Sequence, residues 1–254
     1  MSNRWVMLAA IAALSVMPGV AQETTQRDAF VAGTTKDCPG CDLSGLNLTY
    51  RNLSDANLAG ANLTKVRLHR AVMARANLAG ANLTGANLNL VDLRFADLSA
   101  ADLTDALLYE ANLSAANLTQ ATMVNTKAQH AQLARANMAG VTWTGSDATG
   151  VYLVGADLSG ADLSDSYLPA GDLRQTNLSG ANLSDTSFYQ GNFSGADLTG
   201  ARIERADFRQ TKLNDAVFVD AVVTGTRFAR AWTEGADFTN VDIASATGLS
   251  LRAQ

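Results

Sequence analysis

Ala56-Asn57-Leu58-Ala59-Gly60-Ala61-Asn62-Leu63-Thr64 returns letter for letter at Ala76 to Thr84, twenty residues later. Within it lies a five-residue unit, Ala-Asn-Leu-x-x, and most of the 254-residue chain is a variation on that unit. A period of five suits neither regular element. On an α-helix, leucines five apart spread around the axis, and on a straight strand an odd spacing sends successive leucines to opposite faces. If the chain turns a corner once per unit, every leucine can point to a common axis, as in a stacked solenoid.

The central position recurs every fifth residue from Leu43 to Ile243 without an insertion, forty-one positions, almost all of them Leu, Phe, Met or Ile. Two residues before each centre stands a small residue, usually Ala, sometimes Val, Thr, Ser or Gly. This predicts a core that is large-plus-small on every side. Gly60, Gly80, Gly140, Gly160, Gly180 and Gly200 share one multiple-of-twenty column, and Phe188, Phe208 and Phe228 share another, so four units are expected to close one coil.

Ala156-Asp157-Leu158-Ser159-Gly160 and its tandem neighbours resemble the motif of the pentapeptide-repeat family over about four fifths of the chain. The resemblance implies an all-β fold, a right-handed quadrilateral parallel β-helix of about ten coils. The periodicity alone gives the closed coil of twenty but not its hand. Ten coils at the strand spacing make a rod about 48 Å long.

Met1 to Ala21 reads as an export signal: Arg4 gives a positive start, Trp5 to Met17 an apolar core, and Gly19-Val20-Ala21 a small-residue cleavage site. An uncleaved anchor or a cytosolic helix is the competing reading. The mature protein is therefore expected to be periplasmic or extracellular. Residues 22–40 lack the repeat and are expected to cap the first coil, with Phe30 packed on its leucines, because an exposed stack end is an unpaired edge. The β-helix is expected over 41–246 and a short tail over 247–254.

Cys38-Pro39-Gly40-Cys41 leads into the repeat. The structural reading puts Cys41 at a small inward position and Cys38 in the cap, with a local disulfide that an exported setting permits. A redox pair would call for a thioredoxin-like unit and a zinc site for two further ligands. Between Met123 and Val151 the register holds while the filling changes: Ala128 and Ala148 are centres on one side in successive coils, and Trp143 is an oversized centre between them. The expectation is that Trp143 or its neighbours swing into the gap with a local bulge or kink, since each missing leucine costs about 2–5 kcal/mol if unfilled.

Asn and Asp stand before most centres, where short side chains bond turn backbone. A pair such as Asp97 and Asp102 is accordingly expected to serve two corners rather than acid–base catalysis. Without the signal the chain carries 18 basic and 24 acidic residues, a net of −6 that argues against general nucleic-acid binding. Lys65, Arg67, His69, Arg70 and Arg75 form a small basic cluster, read as a solvated rim. His69 and His130 lie about 14 Å apart by coil spacing, so they cannot share a metal. Neither a cofactor nor a metal nor an enzymatic activity is expected.

Tyr109, Tyr167 and Tyr189 fall on one side of the coil, which makes that side the first choice for a protein partner. The favoured function is thus an exported structural or protein-interaction scaffold. The membrane is touched only through the signal, and end-to-end homodimerisation is open to it. The resemblance implies one alternative, because some family members mimic DNA and bind gyrase. A small-molecule site in 123–151 is the other.

Overall fold

The computed structural model describes residues 18–249. Parallel backbone bridges link residues twenty apart from Asp42–Asn62 through Arg227–Thr247, so each coil takes twenty residues and four sides. We number the sides by their centres: side 1 carries Leu43 and Leu63, side 2 Leu48 and Leu68, side 3 Leu53 and Met73, side 4 Leu58 and Leu78.

One unit shows why the sequence repeats as it does. Ala61 N–H closes a turn onto the Leu58 carbonyl, Asn62 N–H bonds Cys41 in the preceding coil, and Leu63 and Lys65 N–H bond Asn82 and Thr84 in the next. That leaves one N–H, at Thr64, and the Asn62 side-chain oxygen accepts it at 3.1 Å. All five backbone donors are then satisfied, as buried or packed backbone requires. The Asx position is the answer to one leftover donor per unit. Asp97 and Asp102 play this role toward Ser99 and Thr104 N–H, on different sides of the coil.

Each corner places its third turn residue at positive φ, between 51° and 73° along the repeat. This is the geometry of a type II turn, which favours Gly or Asn there. Glycine supplies most of one corner column, while Lys, Arg, Asp, Gln, Leu, Phe and Tyr occupy others, but no Val, Ile or Thr does. Branching at Cβ is the feature the left-handed region tolerates least.

The inward centres and small positions form one continuous buried cluster from Phe30 to Phe228. Phenylalanines line its later coils: Phe188–Phe208 and Phe208–Phe228 rings lie 5.0 and 5.5 Å apart, and Phe218 stacks on Phe238 at 4.6 Å. The core's limits differ from the expected Leu43 to Ile243. Cys38 already sits in the centre register, donating its N–H to Asn57 as a leucine would. Ile243 has left it, lying in a 3₁₀ turn, Ile243–Ser245, 39% exposed. The ladder nevertheless reaches Thr247, where a tail was expected.

Helix α1, Pro18–Ala32, covers the first coil. It continues through Gly19-Val20-Ala21, while residues 1–17, the bulk of the expected export signal, lie outside the described residues. Gly33, at φ 76°, stops the helix: Gly33 and Thr34 N–H return to Phe30 and Ala29 carbonyls in a Schellman arrangement. Phe30 is fully buried in the core cluster and Val31 is exposed. The first coil's open edge is closed by side chains. Arg27 donates to the Asp42 carbonyl and Lys36 to that of Ser54, and Asp37 accepts the Asn57 N–H. Those groups would otherwise form an unpaired edge. Arg51 ties the helix down, bonding the Phe30 carbonyl at 3.0 Å with its guanidinium 5.0 Å from the Phe30 ring.

Candidate binding faces

The Met123–Val151 region is packed and closed. Trp143 is fully buried, and its indole N–H donates to the Thr126 hydroxyl at 2.9 Å, beside Ala128 in the preceding coil. The oversized ring therefore occupies room that Ala128 and Ala148 leave. The expected bulge does not form: Ala128, Trp143 and Ala148 all keep their ladder bonds, at 2.7, 2.6 and 2.8 Å. The corners after Met123 and Trp143 change: Thr126 and Ser146 N–H turn from those carbonyls to the hydroxyls of Ser146 and Ser166, which donate to the carbonyls in their place. Ala128, Trp143 and Ala148, the residues that singled this stretch out, have no exposed surface and serve as core filling.

Those hydroxyls belong to a column the sequence reading passed over. Ser146, Ser166, Thr186 and Thr226 stand at small inward positions on one corner, and each donates to a carbonyl twenty-three residues earlier, those of Met123, Trp143, Leu163 and Ile203. Thr176 does the same on another corner, to Leu153. Described buried side-chain polar atoms all find partners. The signal was present as Ser and Thr among the alanines two before each centre.

Cys38 and Cys41 are joined in a disulfide and both are fully buried. Among the described residues no group of three or more His, Cys, Asp or Glu is placed to hold a metal. The histidines stay apart, each edge-on to a tyrosine, His69 to Tyr50 and His130 to Tyr109, at 6.1 Å. Within the basic cluster Arg75 is paired bidentately with Asp55, and Arg70 reaches the Tyr50 hydroxyl. Lys65 and Arg67 face solvent.

The three tyrosines do share side 2, with Tyr109 and Tyr167 exposed and Tyr189 half-buried under the Arg209 guanidinium, 5.7 Å from its ring. They do not make one apolar patch. Lys127, Gln129, His130 and Asp147 separate Tyr109 from the other two, with Gln129 bonded to Asp147.

A larger pattern divides the four sides. From Asp42 to Ser184 the outward residues of side 1 are only Asp, Asn, Ser, Thr and Val, and side 4 from Asn57 to Thr239 adds only Ala. Between residues 42 and 201, every outward Arg, Lys, His, Tyr and Phe lies on sides 2 and 3 or at the corners bounding them. Two adjacent sides are smooth, and two carry the long side chains from which interfaces are built.

These features define a parallel β-helical solenoid with a filled core, whose chemistry is confined to its outer walls. The pentapeptide-repeat model matches eight copies over residues 52–89, 86–127, 129–166, 172–205 and 201–240, and the chain belongs to that family, whose fold is the right-handed quadrilateral β-helix. Among solved structures it is similar to HetL, a pentapeptide repeat protein involved in heterocyst differentiation regulation from Nostoc sp. strain PCC 7120, at 26% identity over 85% of this chain and 94% of that one, with a TM-score of 0.34. It is also similar to trypsin-treated QnrB1, a plasmid-mediated fluoroquinolone resistance protein, at 14% identity over 80% and 90% and a TM-score of 0.39. Rfr23 from the cyanobacterium Cyanothece 51142 gives 16% over 88% and 97%, with a TM-score of 0.27. Curated protein sequences contain no significant match to the chain.

Proposed function

We propose that this protein is an exported, non-enzymatic scaffold that binds a protein partner along side 2. The observation that supports this most is the division of the walls. Aromatic residues and arginine are the types enriched where proteins bind each other, and between residues 42 and 201 they are absent from the outward positions of two sides and gathered on the other two. On the later coils of side 2, Tyr189 lies under Arg209, with Asp207 held between the Arg209 and Arg227 guanidinium groups at 2.7 and 3.1 Å and Tyr167 exposed two coils before them. That cluster is held in place by the ladder, since Asp207 and Arg227 N–H bond the Thr186 and Ala206 carbonyls and Phe208 N–H bonds that of Arg227.

DNA mimicry is less well supported. It needs rows of uncompensated carboxylates, whereas here successive ladder carboxylates are spaced by asparagines, as when Asn117 donates to Asp97 and Asn177 to Asp157.

Proximity labelling with the tagged full chain tests the reading. One set of envelope proteins is expected to be captured by the parent and lost when Tyr109, Tyr167 and Tyr189 are all replaced by alanine. Fractionation checks export, and a cytoplasmic product retaining its first residues would defeat that part of the proposal.

A further inference from the structure

Side 3 carries a feature that the partner-binding reading does not use. Two recesses lie along it, of about 500 and about 330 Å³. They abut at Asn214 and Asp215, consecutive residues that line one recess each. Both lie along side 3 of the later coils, and we refer to the pair as the trough.

The two halves have the same make-up. The first offers the Tyr152 ring, the Arg174 guanidinium, the Gln175 amide and the Asp215 carboxylate. The second offers the Trp232 indole, Arg230, the Asn214 amide and the Glu234 carboxylate. Tyr152 and Trp232 occupy the same ladder column four coils apart, about 19 Å at the strand spacing, and are 40% and 50% exposed. Arg174 is fixed by a two-point bond to Asp172, at 2.8 Å for each oxygen.

We propose that this trough binds an extended, uncharged oligosaccharide. A pyranose ring has an apolar C–H face and a rim of hydroxyls, each both donor and acceptor. An aromatic ring offers the apolar face a flat, amphipathic partner. A carboxylate accepts from hydroxyls, while guanidinium donates to them and a carboxamide does both. Each half of the trough supplies this whole set once.

Charge points the same way. Asp172, Asp215 and Glu234 offset Arg174, Lys212 and Arg230 along the trough, leaving no net charge to select a polyanion or polycation. Beneath the first recess the floor selects against an extended peptide, since Leu173, Gln175, Phe193 and Gly195 N–H are bonded to the next coil and offer no free edge for strand addition, whereas the second recess lies where the described side-3 ladder ends at Trp232. The stacked coils also hold the recess residues in place before binding, so little ordering opposes it.

The test is calorimetric titration of the full chain with β-1,4-linked glucose and N-acetylglucosamine oligomers of two to six units, with α-1,4-linked glucose oligomers and an uncharged peptide as comparisons. At least one sugar series is expected to bind saturably, tightening about tenfold or more from the shortest to the longest member as both halves engage. Tyr152→Ala and Trp232→Ala should each weaken the longest oligomer about tenfold, while Tyr109→Ala on side 2 leaves its Kd unchanged. Both replaced residues are exposed, so melting curves should match the parent and exclude a folding defect. The proposal is overturned if no sugar in the panel binds, if the peptide binds in their place, if affinity ignores oligomer length, or if the Tyr152→Ala/Trp232→Ala double variant binds as the parent does.

Discussion

The residue that the architecture leans on most is the Asx before each centre, because it answers a specific donor. Asn117 accepts the Thr119 N–H at 3.2 Å and its hydroxyl at 2.6 Å, and donates to Asp97 at 2.9 Å. Asn117→Ala removes all three bonds from a half-buried site. The expected loss is about 1–3 kcal/mol, read from urea denaturation midpoints at constant m. Corners offer a second test at the same scale. A Cβ added at Gly160 would meet nothing within 4 Å, yet its φ is 62°, so any cost of substitution there is conformational. Gly160→Ala should destabilise by about 1 kcal/mol and Gly160→Val by more, whereas Gly160→Asn should be nearly neutral; equal melting temperatures for all three would contradict it. The sequence announced the Asx role plainly, through an Asn or Asp recurring every five residues. The positive φ was harder to read, because Lys65, Phe95 and Arg135 occupy such corners as readily as glycine. What betrays it is an absence, that of β-branched residues.

At the scale of the element, Trp143 and its two alanine neighbours are one packing unit spread over two coils. Trp143→Leu restores the commonest centre but should cost about 2–5 kcal/mol, since the vacated volume faces Ala128 and Ala148. Adding Ala128→Leu to Trp143→Leu should recover much of that loss. The coupling energy, from a double-mutant cycle of thermal or urea melts, is expected to exceed about 1 kcal/mol; independent, additive effects would show that the indole does not fill the alanine gap. Period and register located this unit in the sequence, and volume predicted that the ring moves inward. The expected kink failed for a reason of the same kind. Thr126, Ser146 and Ser166 could rebuild the corner with side-chain hydroxyls, and so the ladder did not have to break. The cap was legible only as a non-repeating stretch containing Phe30. That Arg27 and Lys36 would serve the edge carbonyls of Asp42 and Ser54 depends on where α1 lies, which no periodicity encodes.

Across the whole molecule, acid acts on many small contributions of one sign. Asp42 and Asp237 are held below the ordinary carboxylate value of 3.8 by the hydroxyl and then the N–H two residues ahead, and Asp55 and Asp185 by the guanidinium groups of Arg75 and Arg205. A carboxylate with a lowered folded-state pKa stabilises fully above its unfolded value, and that contribution fades as pH falls through the folded one. Stability should therefore be level from neutral pH to about 5 and decline below 3.8, which denaturation midpoints across pH 7 to 2.5 would record; a decline already complete above pH 5 would contradict it. The overall form was the most legible property of all, because one rule repeated forty-one times leaves little to chance. The division into smooth and decorated walls was equally present in the letters, but shows only when they are wound in rows of twenty. Because the bridges always join residues twenty apart, every row presents the same cross-section to the rows above and below. Cutting out residues 81–100 would bring Gly80 against Ala101 with each wall still in line. Length is thus a dial the gene can turn by duplication or loss of sixty nucleotides, while a binding stripe elsewhere on the shaft keeps its outline.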